Sequence, residues 1–288
     1  VDVSSPSCLT RYSCPALRLS VTRWEFSNLK SDQNCECSVR KCNTATMMSN
    51  WLKTSPLFAF NLANRDRWVG EQAARLPAGA RVLDMGAGSC PYRPLFAHCR
   101  YQTQDFAGLD NEQLRHGGYG LIDYRCDIAK VPVGDAAFDA ILCTEVLEHV
   151  AEPIKAVQEM ARILRPGGRL LLTAPLGSGI HQEPHHYYGG YTPYWYREFL
   201  GAAGFAEIEI EANAGSFKFF AQEAIRFVQT SRPFKLGVPW PMELLWLPLW
   251  LMLAPVLALA IPLVCSYLDR FDRDQRFTVG YHVTAIKR

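Results

Sequence analysis

The sequence predicts an α/β fold: a doubly wound, mostly parallel seven-stranded sheet with an apolar helical insert before the last strand. Three observations predict it. Strand-like apolar runs alternate with stretches of helical spacing, as in a parallel sheet covered by helices. The run Arg81-Val-Leu-Asp-Met-Gly-Ala-Gly88 leaves a strand through a glycine turn and leads into Pro91 and an apolar helical stretch. Glycine lets such a turn be sharp and lets the backbone approach a ligand closely. Finally, Leu244 to Val264 is almost wholly apolar and carries no charge.

The elements follow in order. Residues 1–46 are polar and aperiodic, and read as a disordered leader or as the product of a start site placed too far upstream; Met47-Met48 follows directly. No apolar core with a small-residue cleavage site marks a signal peptide there. Pro56 to Leu76 reads as a helix ending before Pro77, packed beside the glycine turn. Strands are expected near 80–85, 100–105, 120–126, 138–143, 168–174, 206–212 and 277–287, and helices near 92–98, 152–164 and 193–203. Ile154, Val157, Met160, Ala161 and Leu164 have helical spacing, and Pro166-Gly167-Gly168 stops that helix. Thr192 is a natural cap for a helix opening at Pro193. The expected domains are a core over 47–239, an insert over 240–268 and a returning strand over 269–288.

Composition narrows the function classes. The 288 residues suit one α/β domain with additions, and a net charge of +2 makes no general case for nucleic-acid binding. The ten cysteines are scattered, which reads as reduced thiols in a cytosolic protein. Cys35, Cys37 and Cys42 are spaced loosely like metal ligands, but no matching pair follows, so no zinc site is expected.

The acids after the glycine turn sharpen the reading. Asp84 ends the first strand. Asp105, about 20 residues on, ends the next and stands where a carboxylate meets a ribose diol. Asp127, in Tyr124-Arg-Cys-Asp-Ile128, could meet an adenine amino group while Ile128 covers the ring. Then come Ala137-Phe-Asp-Ala-Ile-Leu-Cys-Thr-Glu-Val-Leu-Glu-His149 and Met160-Ala-Arg-Ile-Leu-Arg-Pro-Gly-Gly-Arg-Leu-Leu-Leu-Thr173. Taken in order, from about Ala80 to Phe205 and again in the last strand, these resemble the class I S-adenosylmethionine-dependent methyltransferases. The phrase Glu145-Val-Leu-Glu-His-Val150 is similar to one in ubiquinone-pathway O-methyltransferases. Cys90 stands where that family often has a third glycine. An NAD-binding reading fits worse, because Asp84 precedes the turn and nothing pairs a nicotinamide.

The resemblance implies a Rossmann-like methyltransferase sheet and S-adenosylmethionine as cofactor, held by Asp84, Gly86, Ala87, Gly88, Asp105, Phe106, Asp127, Ile128 and Thr144. His149 and His185 are the candidate bases; the alternative for His149 is a cap or packing role after the fourth strand. His181 and Tyr187, on the loop Ile180 to Thr192, are the candidate acceptor contacts; the alternative is a structural loop held by tyrosine hydroxyls. Glu145, Glu148 and His149 also resemble part of a metal site that some relatives complete with a later histidine, here His181, His185 or His186. Two carboxylates with imidazoles could take Mg²⁺ or Mn²⁺. No resident metal is expected, since a hydrogen-bonded helix turn explains the same residues.

The insert is long enough to cross a bilayer, and Trp240, Trp246 and Trp250 crowd its first half as aromatics do at a lipid–water interface. A single crossing conflicts with the topology, because strands near 206–212 and 277–287 belong to one sheet. Pro248, Pro255 and Pro262 recur every seven residues and kink a helix. The expectation is a re-entrant hairpin turning near Pro255, or kinked helices lying shallowly in the interface. The alternative is a helical subdomain packed on the fold or in a dimer interface. The insert leaves at the carboxyl edge of the sheet, where ligands bind. That points to the cytoplasmic face of a membrane and to a small-molecule or lipid-linked acceptor such as a quinone precursor or a polyprenyl-linked sugar. The rival from another class is a non-catalytic adaptor docked through the insert. A nucleic-acid methyltransferase lacks support: Thr144-Glu-Val-Leu replaces the Asn/Asp-Pro-Pro-Tyr type of phrase that suits a flipped base.

Overall fold

The structure, a computed structural model, describes residues 58–273 and 276–288. The expectations for the leader, for Met47-Met48, for Cys35, Cys37 and Cys42 and for the start of the first helix lie outside these residues.

Helix α1 (Phe60–Ala74) is followed by strands β1 (Arg81–Met85), β2 (Arg100–Asp105), β3 (Tyr124–Arg125) and β4 (Phe138–Thr144). Then come α2 (Pro153–Ile163), β5 (Leu164–Pro175), α3 (Pro193–Ala202) and β6 (Phe205–Ala212). A helical excursion of α4 (Ser216–Thr230), α5 (Trp240–Pro255) and α6 (Ile261–Leu268) precedes β7 (Gly280–Lys287). The sheet order is β3-β2-β1-β4-β5-β7-β6. Strands β1 to β5 pair in parallel, and β7 lies antiparallel between β5 and β6. The expected doubly wound sheet with a returning last strand is therefore present. Its central strands are apolar throughout because both faces are covered. Leu83, Ile141, Leu170 and Leu172 pack on one side with Val157, Met160, Tyr196 and Leu200. Val82, Leu142 and Leu171 pack on the other with Trp68, Val69 and Phe96.

Three elements differ from expectation. The stretch after the glycine turn makes only a 3-10 turn, Arg93–Phe96, because β2 begins at Arg100 and Pro94 interrupts what little length remains. The third strand shrinks to two residues, since the Thr103 amide is taken by the Asp123 carboxylate instead of by a longer ladder. Pro166-Gly167-Gly168 ends α2 but lies inside β5, at a bulge where the pairing shifts between Phe138 and Ala140.

The insert also differs. The chain does not turn near Pro255. A π-turn over Val256–Ala260 takes up the proline, and Trp240–Phe271 runs as one helical stretch of 32 residues, about 48 Å at the usual rise. The reversal falls earlier, over residues 231–239, so α4 is the outgoing arm of a hairpin and α5–α6 the return. Acids of the return arm cap the start of α4: Asp269 accepts from the Gly215 and Lys218 amides and Asp272 from the Ser216 amide, meeting otherwise orphaned helix donors. A Cβ at Gly215 would collide with both carboxylates. Higher up, the Trp246 indole donates to the Ser231 carbonyl and the Glu243 carboxylate accepts from the Phe234 amide. The most apolar window of this arm has no buried residue, and Leu245 and Trp240 are 78% and 71% exposed.

On β7, His282 is buried, stacks on Trp68 at 5.0 Å, and its Nε2 has no hydrogen-bond partner among the described residues. Burial, with Arg65 and Arg67 nearby, pulls its imidazole down to about 4. The unfolded chain therefore binds a proton first as pH falls, and the stability this group contributes above about 6.5 is lost between there and about 4. His282→Phe keeps the stacking and removes the titration. In thermal melts from about pH 7.5 to about pH 4.5, the wild-type midpoint is expected to fall relative to that of the variant. Parallel curves would remove His282 from the titrating groups.

Candidate active site

The parallel register sets Asp84, Asp105 and Thr144 at one edge of the sheet. The glycine turn is bonded to the neighbouring strand end. The Gly86 and Ala87 amides donate to the Gln104 carbonyl, and the Gly88 amide donates to Asp105 Oδ2 at 2.9 Å. Asp105 Oδ1 accepts from the Ala107 amide at 2.8 Å. Gly86 has φ +74°, and a Cβ there would fall 2.4 Å from the Val146 side chain, so glycine is required. Cys90 takes the left-handed region at φ 53°. Its thiol fills the space a Cβ on Gly120 would need, so a glycine across the turn accommodates the departure.

A cavity opens here, lined by Asp84, Gly86, Ala87, Gly88, Asp105, Phe106 and Thr144, seven of the nine residues expected to hold a cofactor. Asp84 is 2% exposed and accepts from the Tyr101 hydroxyl. Burial pushes its carboxyl up to about 7; Tyr101 and Arg93 pull against that rise and Asp105 adds to it. Asp127 and Ile128 stand outside that lining. Asp127 is exposed and its Oδ1 accepts from the Ala129 amide, so it is a turn acid; Ile128 packs in the core. With β3 ending at Arg125, the 106–120 loop supplies that part of the wall through Leu109, Gln113 and Leu114.

Arg65 escaped the sequence reading. It lines the cavity from α1, with its Nε 3.2 Å from the Tyr92 hydroxyl and Nη1 3.4 Å from Glu145 Oε2. Burial works against its charge, but Glu145, Tyr92 and Asp66 outweigh that and hold its pKa above the ordinary value. The signal was present: Arg65 falls at i, with Trp68, Val69 and Gln72 at i+3, i+4 and i+7, on the buried face of a helix. Next to it, Asp66 takes a two-pronged ion pair from Arg115, tying α1 to the 106–120 loop.

The loop after β5 closes over the turn Leu147–His149. His149 Nδ1 lies 2.7 Å from the His185 carbonyl, which can only accept, so Nδ1 carries the proton and Nε2 is bare. Burial foremost, with His181, His186 and His185 around it, pulls His149 down to about 4. Of the two candidate bases, His149 lines the first cavity, whereas His185 uses its carbonyl on His149 and its ring on Phe106. Tyr187 is 51% exposed and lines none of the cavities described here; its amide donates to the Glu148 carbonyl. The Tyr188 and Tyr191 hydroxyls bond Ala151 and Leu147, so tyrosines hold the loop as the structural alternative has it.

A second cavity adjoins the first and shares Glu145 with it. Asn61, Glu148, Ser178, His181, Gln222 and Arg226 contribute to its lining. Glu148 is 1% exposed, and neither carboxyl oxygen has a hydrogen-bond partner among the described residues. Burial, and then Glu145, hold it well above the usual carboxylate range. Nitrogens of His149, His181 and His186 lie within 4.8 Å of one another, with Glu148 Oε1 3.7 Å from His149 Nε2. An imidazole set of this kind suits transition ions, whereas Mg²⁺ prefers oxygen. Glu145 points elsewhere, to Arg65 and to the Thr173 hydroxyl.

A family model described as a methyltransferase domain matches residues 83–172. The ubiquinone biosynthesis O-methyltransferase of Xanthomonas oryzae pv. oryzae (strain PXO99A) is 38% identical over 128 residues, 41% of this chain and 51% of that protein. The enzyme of the same name from Maricaulis maris (strain MCS10) is 35% identical over 100 residues, 32% of this chain and 39% of that protein. The chain thus spans about half the length, or less, of these curated relatives. Among solved structures, Haemonchus contortus phosphoethanolamine N-methyltransferase 2 in complex with S-adenosyl-L-methionine aligns at a TM-score of 0.45 and 16% identity, over 83% of this chain and 59% of that one. Sheet order, strand-end acids and the domain matched over residues 83–172 agree in supporting a class I S-adenosylmethionine-dependent methyltransferase.

Proposed function

We propose that this protein transfers the methyl group of S-adenosylmethionine to a small-molecule or lipid-linked acceptor at a membrane surface. One observation carries the reading: a cavity walled by strand-end acids and a glycine turn meets a second, polar cavity at Glu145, and the outgoing arm of the hairpin contributes Gln222 and Arg226 to that second cavity. Asp105 would hold the ribose diol, Gly86 to Gly88 would let the backbone approach, and Arg65 and Asp84 would bracket the charged amino-acid end. When bound, the cofactor supplies a sulfonium-activated methyl group, and the electron pair of the broken carbon–sulfur bond stays on sulfur. The chain's task is alignment and exclusion of water. A hydroxyl acceptor also needs its proton removed, and the bare Nε2 of His149 is the candidate base. The O-methyltransferase names of the matched relatives favour oxygen as the attacked atom.

Calorimetry on the full chain in detergent tests the cofactor. Wild type is expected to bind S-adenosylmethionine at micromolar affinity. Asp105→Ala and Asp105→Asn should each weaken it about tenfold or more, near 1.4 kcal/mol. No binding by folded wild type would leave the hairpin as the functional site, and the protein as a docking module.

The hairpin tests the location. The full chain is expected to float with vesicles of mixed phosphatidylcholine and phosphatidylglycerol. Leu245→Glu with Met252→Glu, both at exposed positions, should stay in solution with cofactor affinity unchanged. Equal flotation of the two would refute membrane docking through this arm.

A further inference from the structure

The second cavity differs chemically at its two ends. At the inner end the buried Glu148 carboxyl has no partner among the described residues, so a polar group of a ligand is what it lacks. At the other end stands Arg226. Its Nε lies 3.4 Å from Glu223 Oε2 in a half-exposed pair, and its Nη1 occupies the space beside Gly179, where a Cβ would come within 2.7 Å of it. Gly179 thus leaves room for the guanidinium to lie over the loop. Phe219, Gln222, Glu223 and Arg226 follow one face of α4, at i, i+3, i+4 and i+7, and line this cavity or the one beside it. Phe220 and Phe227 of the same helix are exposed, continuing the apolar surface of the hairpin. A planar guanidinium at a cavity mouth is suited to phosphate or carboxylate, which it can hold with two parallel hydrogen bonds.

We propose that the second cavity is the acceptor site and that Arg226 selects membrane amphiphiles carrying a phosphate or carboxylate beside the group to be methylated. The assignment rests on the methyl-transfer reading. Entry runs along the apolar hairpin, the anion stops at Arg226, and the reacting group faces Glu145 and Glu148, where the two cavities meet.

Binding of three probes to the full chain in maltoside micelles tests it: farnesyl monophosphate, farnesol and inorganic phosphate. Wild type should bind farnesyl monophosphate about tenfold more tightly than farnesol, the size expected for charge-assisted hydrogen bonds. Arg226→Gln should lose that preference, while Arg232→Gln, at an exposed position away from the cavity, should keep it. Retained S-adenosylmethionine binding reports that the variants are folded. Inorganic phosphate binding as tightly as farnesyl monophosphate would overturn the amphiphile. If wild type binds the cofactor yet Arg226→Gln binds farnesyl monophosphate unchanged, the inference fails and the methyl-transfer reading stands. If wild type binds no cofactor, the reading fails and takes this inference with it.

Discussion

The site depends on one short set of hydrogen bonds, those that join the glycine turn after β1 to the end of β2. The Gly86 and Ala87 amides spend their donors on the Gln104 carbonyl, and the Gly88 amide on the Asp105 carboxylate. These bonds fix the distance between two strand ends and orient Asp105 at the same time. They also demand a backbone at φ +74° packed against Val146, which excludes any side chain at Gly86. Without them the cavity has no floor. Pro91 and the 3-10 turn that follows then need only cross from one strand to the next.

A second constraint joins the apolar arm to the sheet. The hairpin is long and its return arm is apolar and exposed, so motion of the arm would be transmitted to its base unless the base were fixed. Asp269 and Asp272, from the end of the return arm, bond three amides at the start of the outgoing arm. The cap closes the hairpin just before β7 begins, and β7 lies between β5 and β6. Orientation of the arm is thereby set by the sheet. This also explains why one long helical stretch is compatible with a returning chain: α4 is the other arm, and the turn lies where Pro233, Gly237 and Pro239 stand.

Legibility from sequence followed how local each determinant was. Strand β1, its glycine turn, Asp84 and Asp105 were readable because strand pattern and turn chemistry are short-range. The helix at Pro193 was readable because Thr192 caps it by accepting from the amide of Trp195, only three residues on. Asp127 is harder to read, since a strand-end acid and a turn acid look alike until the ladder length is known, and β3 stops two residues short of it. Pro255 misled because a π-turn can absorb a proline that pattern alone reads as a break. Arg65 was overlooked because a cation on a buried helix face is meaningful only once Glu145 and Tyr92, distant in sequence, are brought beside it.

Glu145 joins the two cavities. It sits at φ 54° directly after β4, a strained conformation for glutamate, and faces both cavities. Its carboxylate bridges Arg65 of the first cavity and Thr173 at the end of β5. A neutral residue there would leave Arg65 buried without its nearest counter-charge, which costs more than the pair contributes when intact. The strain is therefore offset by the ion pair, and the ion pair exists only because α1 lies across the sheet edge. A group reaching Glu145 from the second cavity would meet an oxygen already committed to Arg65.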